Sequence, residues 1–507
     1  MRFLVVLARL ALPGLIVIGL LIDDRTRPID DDSAETISLD AENTVSGDKS
    51  LTSTWYCPTA HSRELEVGGV DARTELIVTN TAAEPTRVSV YLISPTSARQ
   101  LLHLEVPGLS SRSLEIGDHT ADELVSALVE APISGVAASR RIHSTFGSDV
   151  APCSSVVAKA WYVASGDTQA DARSQLVIYN PLPIDAVIDL SFASEAEVGS
   201  YSPRELVGLV VPATNTISVD IGAHVRRRDV LSATVKARLG SVVVDHIQTF
   251  DGSSGRVGFS ATLATATAST SWYHPVAVLG ERERVSVVMT NPTELVADVE
   301  ITVVSGEGET DSVVTTVGPY DVTEVQVLPK AEEKLVANTL FTSFESFGIT
   351  VETSNGIPIV SGMQLTSGPL GSPGKESPEQ ELLLGSDELG EVQLPVDRES
   401  GLSLASGAPS GSRSWLLVLP DVEGEVLVAI QNTSSSSASA SVTRYGKRQR
   451  YEVKLAALAT KHLRIAAGST IEVNSDSEVV VSAVHQELKG AGLSSVSGIR
   501  FAGGADE

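Results

Sequence analysis

Short apolar stretches alternate with polar residues along most of the chain, and no sustained helical periodicity interrupts them. A period of two places apolar side chains on one face of a strand, as in Val299, Ile301 and Val303. Turn-forming residues separate these stretches at intervals of about ten residues. The pattern therefore predicts an all-β chain built from antiparallel β-sandwiches.

A phrase that begins with tryptophan opens each of four successive units of about 100 residues. The phrase begins at the only four tryptophans of the chain: Trp55, Trp161, Trp272 and Trp415. An apolar strand that ends in asparagine follows each phrase, and these asparagines are Asn80, Asn180, Asn291 and Asn432. An asparagine side chain ends a strand well because it bonds the local backbone in a turn. We therefore predict four tandem immunoglobulin-like sandwiches, each with its tryptophan in the core.

The same landmarks set the expected boundaries of the repeats. The repeats are expected at residues 54–153, 154–268, 269–366 and 413–507. Gly, Ser, Pro and Glu predominate over 367–412, which predicts a linker or a long loop. We expect the fourth repeat to move independently across this segment.

Each repeat also contains two apolar runs that flank turn residues near its end. Asn355-Gly356 is the strongest of these turn signals in the third repeat, and Asp476 marks the turn in the fourth. Such a sequence predicts a hairpin of two paired strands.

The N-terminus has the features of an export signal. Arg2 and Arg9 precede the uncharged apolar run Leu10–Ile22, so residues 1–22 are expected to form an uncleaved membrane anchor. A cleaved signal peptide is the alternative. Residues 23–53 are acidic and lack apolar periodicity, which predicts a disordered, flexible stem. The bulk of the chain is therefore expected outside the cytoplasm, anchored in the cytoplasmic membrane or secreted.

The charge and the cysteines narrow the possible functions. The net charge of −27, from 37 Lys and Arg against 64 Asp and Glu, argues against a nucleic-acid partner. Cys57 and Cys153 are the only cysteines, and in an exported chain they are expected to form a disulfide. This bond would bracket the first repeat and tie it to the strand that begins the second. A reactive thiol or a metal site is the alternative, although the spacing is not that of a CxxC motif.

The sequence lacks the motifs of familiar enzymes. It contains no HExxH, GxxxxGK[ST], GxGxxG or Gly-x-Ser-x-Gly pattern. His119 and His224 occupy equivalent positions, where a turn role is favoured over a ligand or pH-sensing role. His246, Met363 and His485 lie near equivalent positions late in their repeats, where the Met favours packing over coordination. We predict no catalytic, cofactor-binding or metal-binding residue.

One part of the second repeat resembles a known family. Trp161–Thr168, with Leu176–Pro181 downstream, resembles the WYFAEGxT…LxLxNP unit of bacterial secreted repeat proteins. With Trp55–Pro58, Cys153 and the N-terminal run, the chain resembles an actinobacterial family of secreted or membrane-anchored proteins whose domain has no assigned function. The resemblance implies the cellular address and the fold, and it brings no catalytic residues.

These observations favour a non-catalytic cell-envelope protein that acts as a spacer or an interaction scaffold. Its expected partners are the cytoplasmic membrane and other envelope proteins or cell-wall polymers. A cell-wall glycan-binding protein is the alternative, although sugar platforms need exposed aromatic rings and the tryptophans are assigned to cores. A carbohydrate-active enzyme is a third reading, because a pair of acidic residues for glycoside hydrolysis is not recognisable from sequence alone.

Overall fold

The computed structural model describes residues 44–45, 52–59, 72–254, 256–277, 283–306, 308–329, 339–342, 346–367, 401–421, 425–447, 449–486 and 493–501. Every regular element of this part that is longer than three residues is a β-strand, which confirms the all-β class. Glu42–Glu507 form one compact unit. The predicted anchor, most of the predicted stem and most of the predicted linker lie outside the described residues.

The strands fall into four consecutive modules. Module 1 contains β2 (Ser53–Cys57), β3 (Ala72–Asn80), β4 (Thr86–Ile93), β5 (Gln100–Val106), β6 (Ser110–Glu115), β7 (Ser126–Ala131), β8 (Val136–Ser144) and β9 (Gly147–Pro152). Module 2 contains β10 (Ala160–Val163), β11 (Ala172–Asn180), β12 (Ala186–Ser194), β13 (Glu197–Tyr201), β14 (Val207–Val211), β15 (Asn215–Asp220), β16 (Leu231–Leu239), β17 (Val243–Asp251) and β18 (Val257–Leu263).

The second half of the chain repeats this order. Module 3 contains β19 (Ser271–Ala277), β20 (Glu283–Thr290), β21 (Ala297–Ser305), β22 (Thr310–Val317), β23 (Val322–Pro329), β24 (Thr339–Thr342), β25 (Ser346–Thr353), β26 (Val360–Ser367) and β27 (Gly401–Ser406). Module 4 contains β28 (Ser412–Val418), β29 (Glu425–Asn432), β30 (Ala438–Arg444), β31 (Gln449–Leu455), β32 (Thr460–Ala466), β33 (Thr470–Gln486), β34 (Leu493–Ser497) and β35 (Ile499–Phe501). The short strand β1 (Thr44–Val45) pairs in parallel with β35.

Modules 1 to 3 share one arrangement of two sheets. In module 1 the strand orders are β2-β7-β4-β5 and β6-β3-β8-β9. Module 2 follows with β10-β16-β12-β13, where β14 also pairs with β12, and β15-β11-β17-β18. Module 3 follows with β19-β25-β21-β22 and β24-β23-β20-β26-β27. In module 4 the long strand β33 pairs with strands of both layers, so they merge into one sheet.

Alternating side chains from the two layers build an apolar core in each module. In module 1, for example, Val88, Val90 and Leu92 of β4 meet Leu76 and Val78 of β3 in one buried cluster. Such burial is the main favourable term in folding, at about 25 cal/mol per Å² of apolar surface. Two sheets that enclose one core have the layer arrangement of a β-sandwich.

The hairpins predicted late in each repeat are wrong. The strands on either side of the turn, such as β7 and β8, lie in opposite sheets and do not pair with each other. In module 4 the predicted turn at Asp476 is the middle of the continuous strand β33. Two amphipathic strands can face one core from opposite layers, so a turn between them does not imply pairing.

The expectation of an independent fourth repeat is also wrong. Residues 401–406 of the predicted linker form β27, which pairs with β26 and enlarges module 3 beyond residue 366. Ile77 and Val150 of module 1 pack into the core cluster of module 4. Module 4 therefore contacts both module 3, which precedes it, and module 1, at the opposite end of the series.

Candidate functional site

The four tryptophans lie at equivalent places inside the modules. Each ring is at most 2% exposed. Each indole Nε1 donates a hydrogen bond of 2.6 to 2.9 Å to a backbone carbonyl. In modules 1 to 3 this carbonyl lies at or just before the strand that follows the inter-sheet turn, and in module 4 it lies inside β33: Val136, Val242, Ile359 and Val479. A buried indole needs such a partner, and here it fastens the first strand to the opposite layer. No tryptophan ring is therefore available as a sugar platform.

The four asparagines form the same turn in every module. Each side-chain oxygen accepts a hydrogen bond of 2.9 to 3.0 Å from the backbone N–H two residues later. Each side-chain amide donates to the carbonyl four residues later and to a carbonyl near the end of the neighbouring edge strand. One buried side chain thus satisfies three backbone groups at the end of a strand.

Cys57 and Cys153 form a disulfide with their Cα atoms 4.6 Å apart. The expected pairing is correct, but the bond does not tie the first repeat to the second. Cys153 directly follows β9, so the bond joins the first and last strands of module 1. The disulfide therefore braces one module across its two sheets.

The other modules hold different pairs at the place of the disulfide. The residues equivalent to Cys153 donate their backbone N–H groups to equivalent carbonyls in every module, which identifies the pairs. These pairs are Val163 with Ala264, His274 with Gly407, and Leu417 with Gly498. A Cβ atom at Gly407 would lie 2.6 Å from the His274 ring, and one at Gly498 would lie 2.7 Å from the Trp415 ring. The two glycines therefore make room for large side chains where module 1 has a covalent bond.

The last strands of the four modules meet one another. β9, β18, β27 and β34 contact each other in pairs, so the same element of each module contributes to one junction. Four equivalent polar residues lie there, each four positions before Cys153 or its counterpart: Asp149, Ser260, Ser403 and Ser494. The sequence predicted neither this junction nor the convergence of these side chains.

Asp149 is the charged member of this junction and is 1% exposed. Its Oδ2 accepts hydrogen bonds from the Ser260 hydroxyl at 2.8 Å and from the Ala261 N–H at 2.9 Å. Its Oδ1 accepts from the Ser494 hydroxyl at 2.7 Å and from the Val150 N–H at 2.9 Å. Burial raises the pKa of the Asp149 carboxyl to about 7, although these four hydrogen bonds act in the opposite direction. One carboxyl group therefore joins modules 1, 2 and 4.

A buried ion pair links modules 1 and 2. The Arg140 guanidinium lies against the Asp245 carboxylate, with side-chain exposures of 0% and 1%. Arg140 Nη2 donates to Asp245 Oδ1 at 3.2 Å and to the Pro152 carbonyl at 3.0 Å. The Thr59 N–H donates to Asp245 Oδ2 at 3.0 Å. Both charges are thus hydrogen-bonded as well as paired, which is the condition for burying them.

The position of Arg140 carries a different residue in each module. Arg140 pairs across the sheet with Leu76. The residues at the position equivalent to Arg140 are His246 in module 2, Met363 in module 3 and Ala483 in module 4. His485, predicted near this place, lies two residues beyond the equivalent position and pairs with Ser494 of β34. An arginine at a strand position where modules 3 and 4 have Met363 and Ala483 was the available sequence signal.

The segment Trp161–Thr168 and the following turn pack around an arginine. Arg256 donates to Asp167 Oδ2 at 2.7 Å and to Asp171 Oδ2 at 2.8 Å. Its guanidinium also stacks on the Phe250 ring at 4.1 Å. Burial raises the pKa of Asp167 to about 6, against the opposing effect of Arg256. Asp167, the acidic residue of Trp161–Thr168, is therefore paired with Arg256 and is not a free carboxylate.

The singled-out histidines occupy turns or cores. His119 and His224 each follow a one-turn 3₁₀ helix, Ile116–Asp118 and Ile221–Ala223. His246 lies 2.7 Å from the Ser174 hydroxyl. His119 and His224 thus lie in turns, as the sequence favours.

Two histidines are buried in modules 2 and 3. His246 is one, and His274, whose Nε2 lies 2.8 Å from the Ser361 hydroxyl, is the other. Burial lowers the pKa of each to about 4. Both rings are therefore neutral near pH 7. Among the described residues, no group of three or more His, Cys, Asp or Glu could hold a metal ion.

A polar groove of about 220 Å³ opens between modules 2 and 3. Its walls include hydroxyls, one amine and one carboxylate: Ser191, Ser232, Thr234, Lys236, Thr290, the 41% exposed Tyr320 and Asp189. Polar groups of this kind can exchange hydrogen bonds with a polar ligand. Within the part of the chain that is described, no helix is long and apolar enough to cross a membrane.

The chain is similar to one described family. The model of a family of unknown function (DUF5719) matches residues 144–373, which include all of module 2 and most of module 3. No curated protein matches the chain.

Solved structures show only distant likeness. A Thermotoga maritima protein designated 1070 is 14% identical over 18% of this chain and 90% of its own, with a TM-score of 0.16. A tetra-tandem repeat from the extending region of a large adhesion protein is 11% identical over 89% of this chain and 100% of its own, with a TM-score of 0.10. The major pilin of Streptococcus pyogenes is 9% identical over 85% of this chain and 99% of its own, with a TM-score of 0.13. At these TM-scores the comparisons give no role for this chain.

Proposed function

We propose that the chain is a non-catalytic, extracytoplasmic scaffold of the cell envelope, built from four tandem immunoglobulin-like β-sandwiches. In this proposal it belongs to an actinobacterial group of exported proteins. Residues 1–22 anchor it in the cytoplasmic membrane or direct its secretion. Its partners are other envelope proteins or cell-wall polymers, and nucleic acid is not among them.

One observation carries the proposal: the converging polar side chains are engaged in joining modules. Asp149 and the Arg140–Asp245 pair form hydrogen bonds that cross between modules. The disulfide of module 1 supports an oxidising compartment outside the cytoplasm. Contact between modules 1 and 4 supports a compact scaffold over an extended spacer. Affinity would then come from surfaces and sheet edges.

Crosslinking in intact cells tests the scaffold. The chain should capture a reproducible set of envelope neighbours, identified by mass spectrometry, and a form released from the membrane should capture fewer. Turnover of a cell-wall polymer by the purified chain would overturn the non-catalytic proposal. Capture of no neighbour above the background of an unrelated exported sandwich protein would overturn the scaffold role.

Glycan binding is the second candidate, and the groove between modules 2 and 3 favours it. Its hydroxyls and the exposed Tyr320 ring could engage one sugar unit. Purified cell-wall polymers should then bind the wild-type chain, and Tyr320→Ala should weaken binding roughly tenfold. Tyr451→Ala in module 4 serves as the control. Equal binding by both variants, or none by the wild type, would remove this candidate.

A further inference from the structure

A pocket of about 140 Å³ opens in module 2, next to the polar groove, with which it shares only Phe192 and Ala193. The polar residues that line it are Ser194, Glu197, Tyr201, His224, Arg226 and Arg228. Two arginines against one glutamate make this lining cationic, although the whole chain carries a net charge of −27. The pocket is therefore a cationic place on an acidic molecule.

The arginines that line the pocket come from a segment that differs between modules 1 and 2. In both modules a one-turn 3₁₀ helix and its histidine, His119 or His224, precede this segment. The second, third and fourth residues after the histidine are Ala, Asp and Glu at 121–123 in module 1, and three arginines at 226–228 in module 2. The repeated fold therefore does not require cations here, and the arginines are a feature of module 2.

Thr168 fixes the backbone of the arginine segment. Its carbonyl accepts from the Arg227 N–H at 2.9 Å, and its own N–H donates to the Arg228 carbonyl at 2.9 Å. Its hydroxyl accepts from the Arg228 N–H at 3.2 Å. The Glu195 carboxylate accepts from the N–H groups of the next two residues, at 3.1 and 3.3 Å. The arginine side chains therefore extend from a backbone that is already held in place, which lowers the entropic cost of binding a ligand.

Arg227, at the centre of the segment, has a left-handed backbone conformation. Five non-glycine residues of the described part have a positive φ. Four of them occupy equivalent turns, one in each module: Leu109, Thr214, Tyr320 and Leu458. Arg227, with a φ of 58°, is the fifth and lies outside this repeated set. A residue with a Cβ atom adopts this conformation at a cost in energy, and such residues concentrate at ligand-binding sites.

Arg226 and Arg228 both have unused hydrogen-bonding capacity. Arg226 is exposed, and no ion pair joins it to another residue of the described part. Arg228 Nη1 donates to the Arg227 carbonyl at 3.3 Å, and its Nη2 lies 3.5 Å from Glu197 Oε1. Arg228 Nε is buried, and within the described part of the chain it has no acceptor. A buried N–H that no protein group satisfies calls for an external acceptor.

The acidic side chains near the arginine segment are Glu195, Glu197, Glu205 and Asp229. Only Glu197 lines the pocket. Glu205 instead contacts His224, with 2.9 Å between its Oε1 and the Nδ1 of the ring. The Glu197 side chain is 63% exposed, and its 3.5 Å contact with Arg228 is long for a hydrogen bond. Exposed ion pairs of this kind contribute little, so an external anion can displace Glu197 from Arg228.

We propose that this pocket binds an oxyanion, the phosphate or carboxylate group of a small ligand, through the guanidinium groups of Arg226 and Arg228. A guanidinium presents its N–H groups in a planar fork that matches the oxygens of phosphate and carboxylate groups. The Tyr201 hydroxyl of the lining is a further donor. Glu197 is the internal competitor, and its carboxylate leaves Arg228 when the ligand binds. The site goes beyond the scaffold role and does not depend on it.

Calorimetric titration of the full chain tests the site, with inorganic phosphate and glucuronate as probes and glucose as the uncharged match. The wild type should bind at least one of the two oxyanions and should not bind glucose. The probe that binds more tightly distinguishes phosphate from carboxylate as the preferred group. Low ionic strength keeps the charge effects measurable. Binding of neither oxyanion, or binding of glucose as tight as that of either oxyanion, would overturn the proposal.

Two variants with opposite effects place the site in the pocket. Arg228→Gln should weaken binding at least about tenfold, because it removes one guanidinium. Glu197→Gln should tighten binding by about twofold to fivefold, because it removes the competing carboxylate. Arg173→Gln and Glu300→Gln make the same changes of charge at exposed positions outside the pocket, and should leave the affinity nearly unchanged. Equal effects of pocket and control variants, or no effect of either pocket variant, would overturn the proposal.

Arginine labelling locates the bound anion without any substitution. Phenylglyoxal should modify Arg226 in the free chain, with peptide mass spectrometry as the readout, and a saturating concentration of the better probe should protect it. Arg173 should be modified equally with and without the anion. Protection of Arg173 to the same extent as Arg226, or no protection of Arg226, would contradict binding in this pocket.

Discussion

The Oδ1 atom of Asp149 accepts a hydrogen bond of 2.7 Å from the hydroxyl of Ser494, a residue 345 positions further along the chain. This contact joins the first module to the last. Asp149 is the only acidic residue among the four equivalent positions, and it lies where modules 1, 2 and 4 meet. The protonation of one carboxyl group therefore affects contacts among three modules.

Asp149→Asn should flatten one part of the dependence of stability on pH. The folded pKa of about 7 lies above the ordinary value of 3.8, so the folded state holds a proton that the unfolded state has released. The stability from this proton is present below about pH 4 and is lost as the pH rises through 7, at about 1.4 kcal/mol per pH unit. Urea unfolding at pH 4.5 and 8 measures the slope. Ser403→Ala, which titrates no group, should keep the wild-type slope.

His246→Gln should remove a contribution of opposite sign. The folded pKa of about 4 lies below the ordinary 6.5, so only the unfolded state binds a proton between these values. The stability from the neutral ring is complete above pH 6.5 and is lost as the pH falls to 4, by about 3 kcal/mol in total. The difference in unfolding free energy between wild type and variant, measured at pH 7 and 4.5, should show this change. His103→Gln is the exposed control, and equal behaviour of both variants would contradict the assignment.

Arg140→Met should destabilise the chain by about 3 to 5 kcal/mol, because it leaves the Asp245 charge buried without its partner. Adding Asp245→Ser removes that charge and should recover part of the loss. Met and Ser are the residues that other modules have at the equivalent positions, Met363 and Ser482. Denaturant unfolding of the two single variants and the double variant gives the coupling energy. Additive losses would mean that the two charges do not interact.

The pair Cys57→Val and Cys153→Ala copies the Val163 and Ala264 pair of module 2 into module 1. Losing a bond between residues separated by 96 positions should cost about 4 to 5 kcal/mol on the chain-entropy model. Unfolding with and without reductant measures the loss. Reductant should lower the stability of the wild type and leave the double variant unchanged. Sensitivity of the variant would point to an effect of reductant that does not involve this bond.

Local structure followed from the sequence where side chains act on their own strand or turn. The recurring phrase with Trp55 and the strand that ends at Asn80 gave the first strands of module 1, because period-two alternation and an Asn turn are local signals. The Cys57–Cys153 pairing followed from the count of cysteines and the expected compartment. The pairing of β7 and β8 did not follow, because alternation fixes which face is buried and not which sheet a strand joins.

Contacts between modules were not predictable in the same way. Asp149 and Ser494 lie in polar stretches whose partners are hundreds of residues away, and no local period links them. Arg140 did leave a signal, since an arginine occupies a strand position where module 3 has Met363. A buried charge of this kind needs a partner, so the mismatch indicated an interface even though it did not identify Asp245.

The contact between modules 1 and 4 also orders events during synthesis. The chain grows from its N-terminus, so Ile77 and Val150 of module 1 emerge long before the module 4 residues that cover them. Until then these two side chains lack the module 4 residues that pack against them. A chain that stops before β34 also lacks Ser494, which donates a hydrogen bond to Asp149. Synthesis of the last strands is therefore required before the junction of the four modules can be complete.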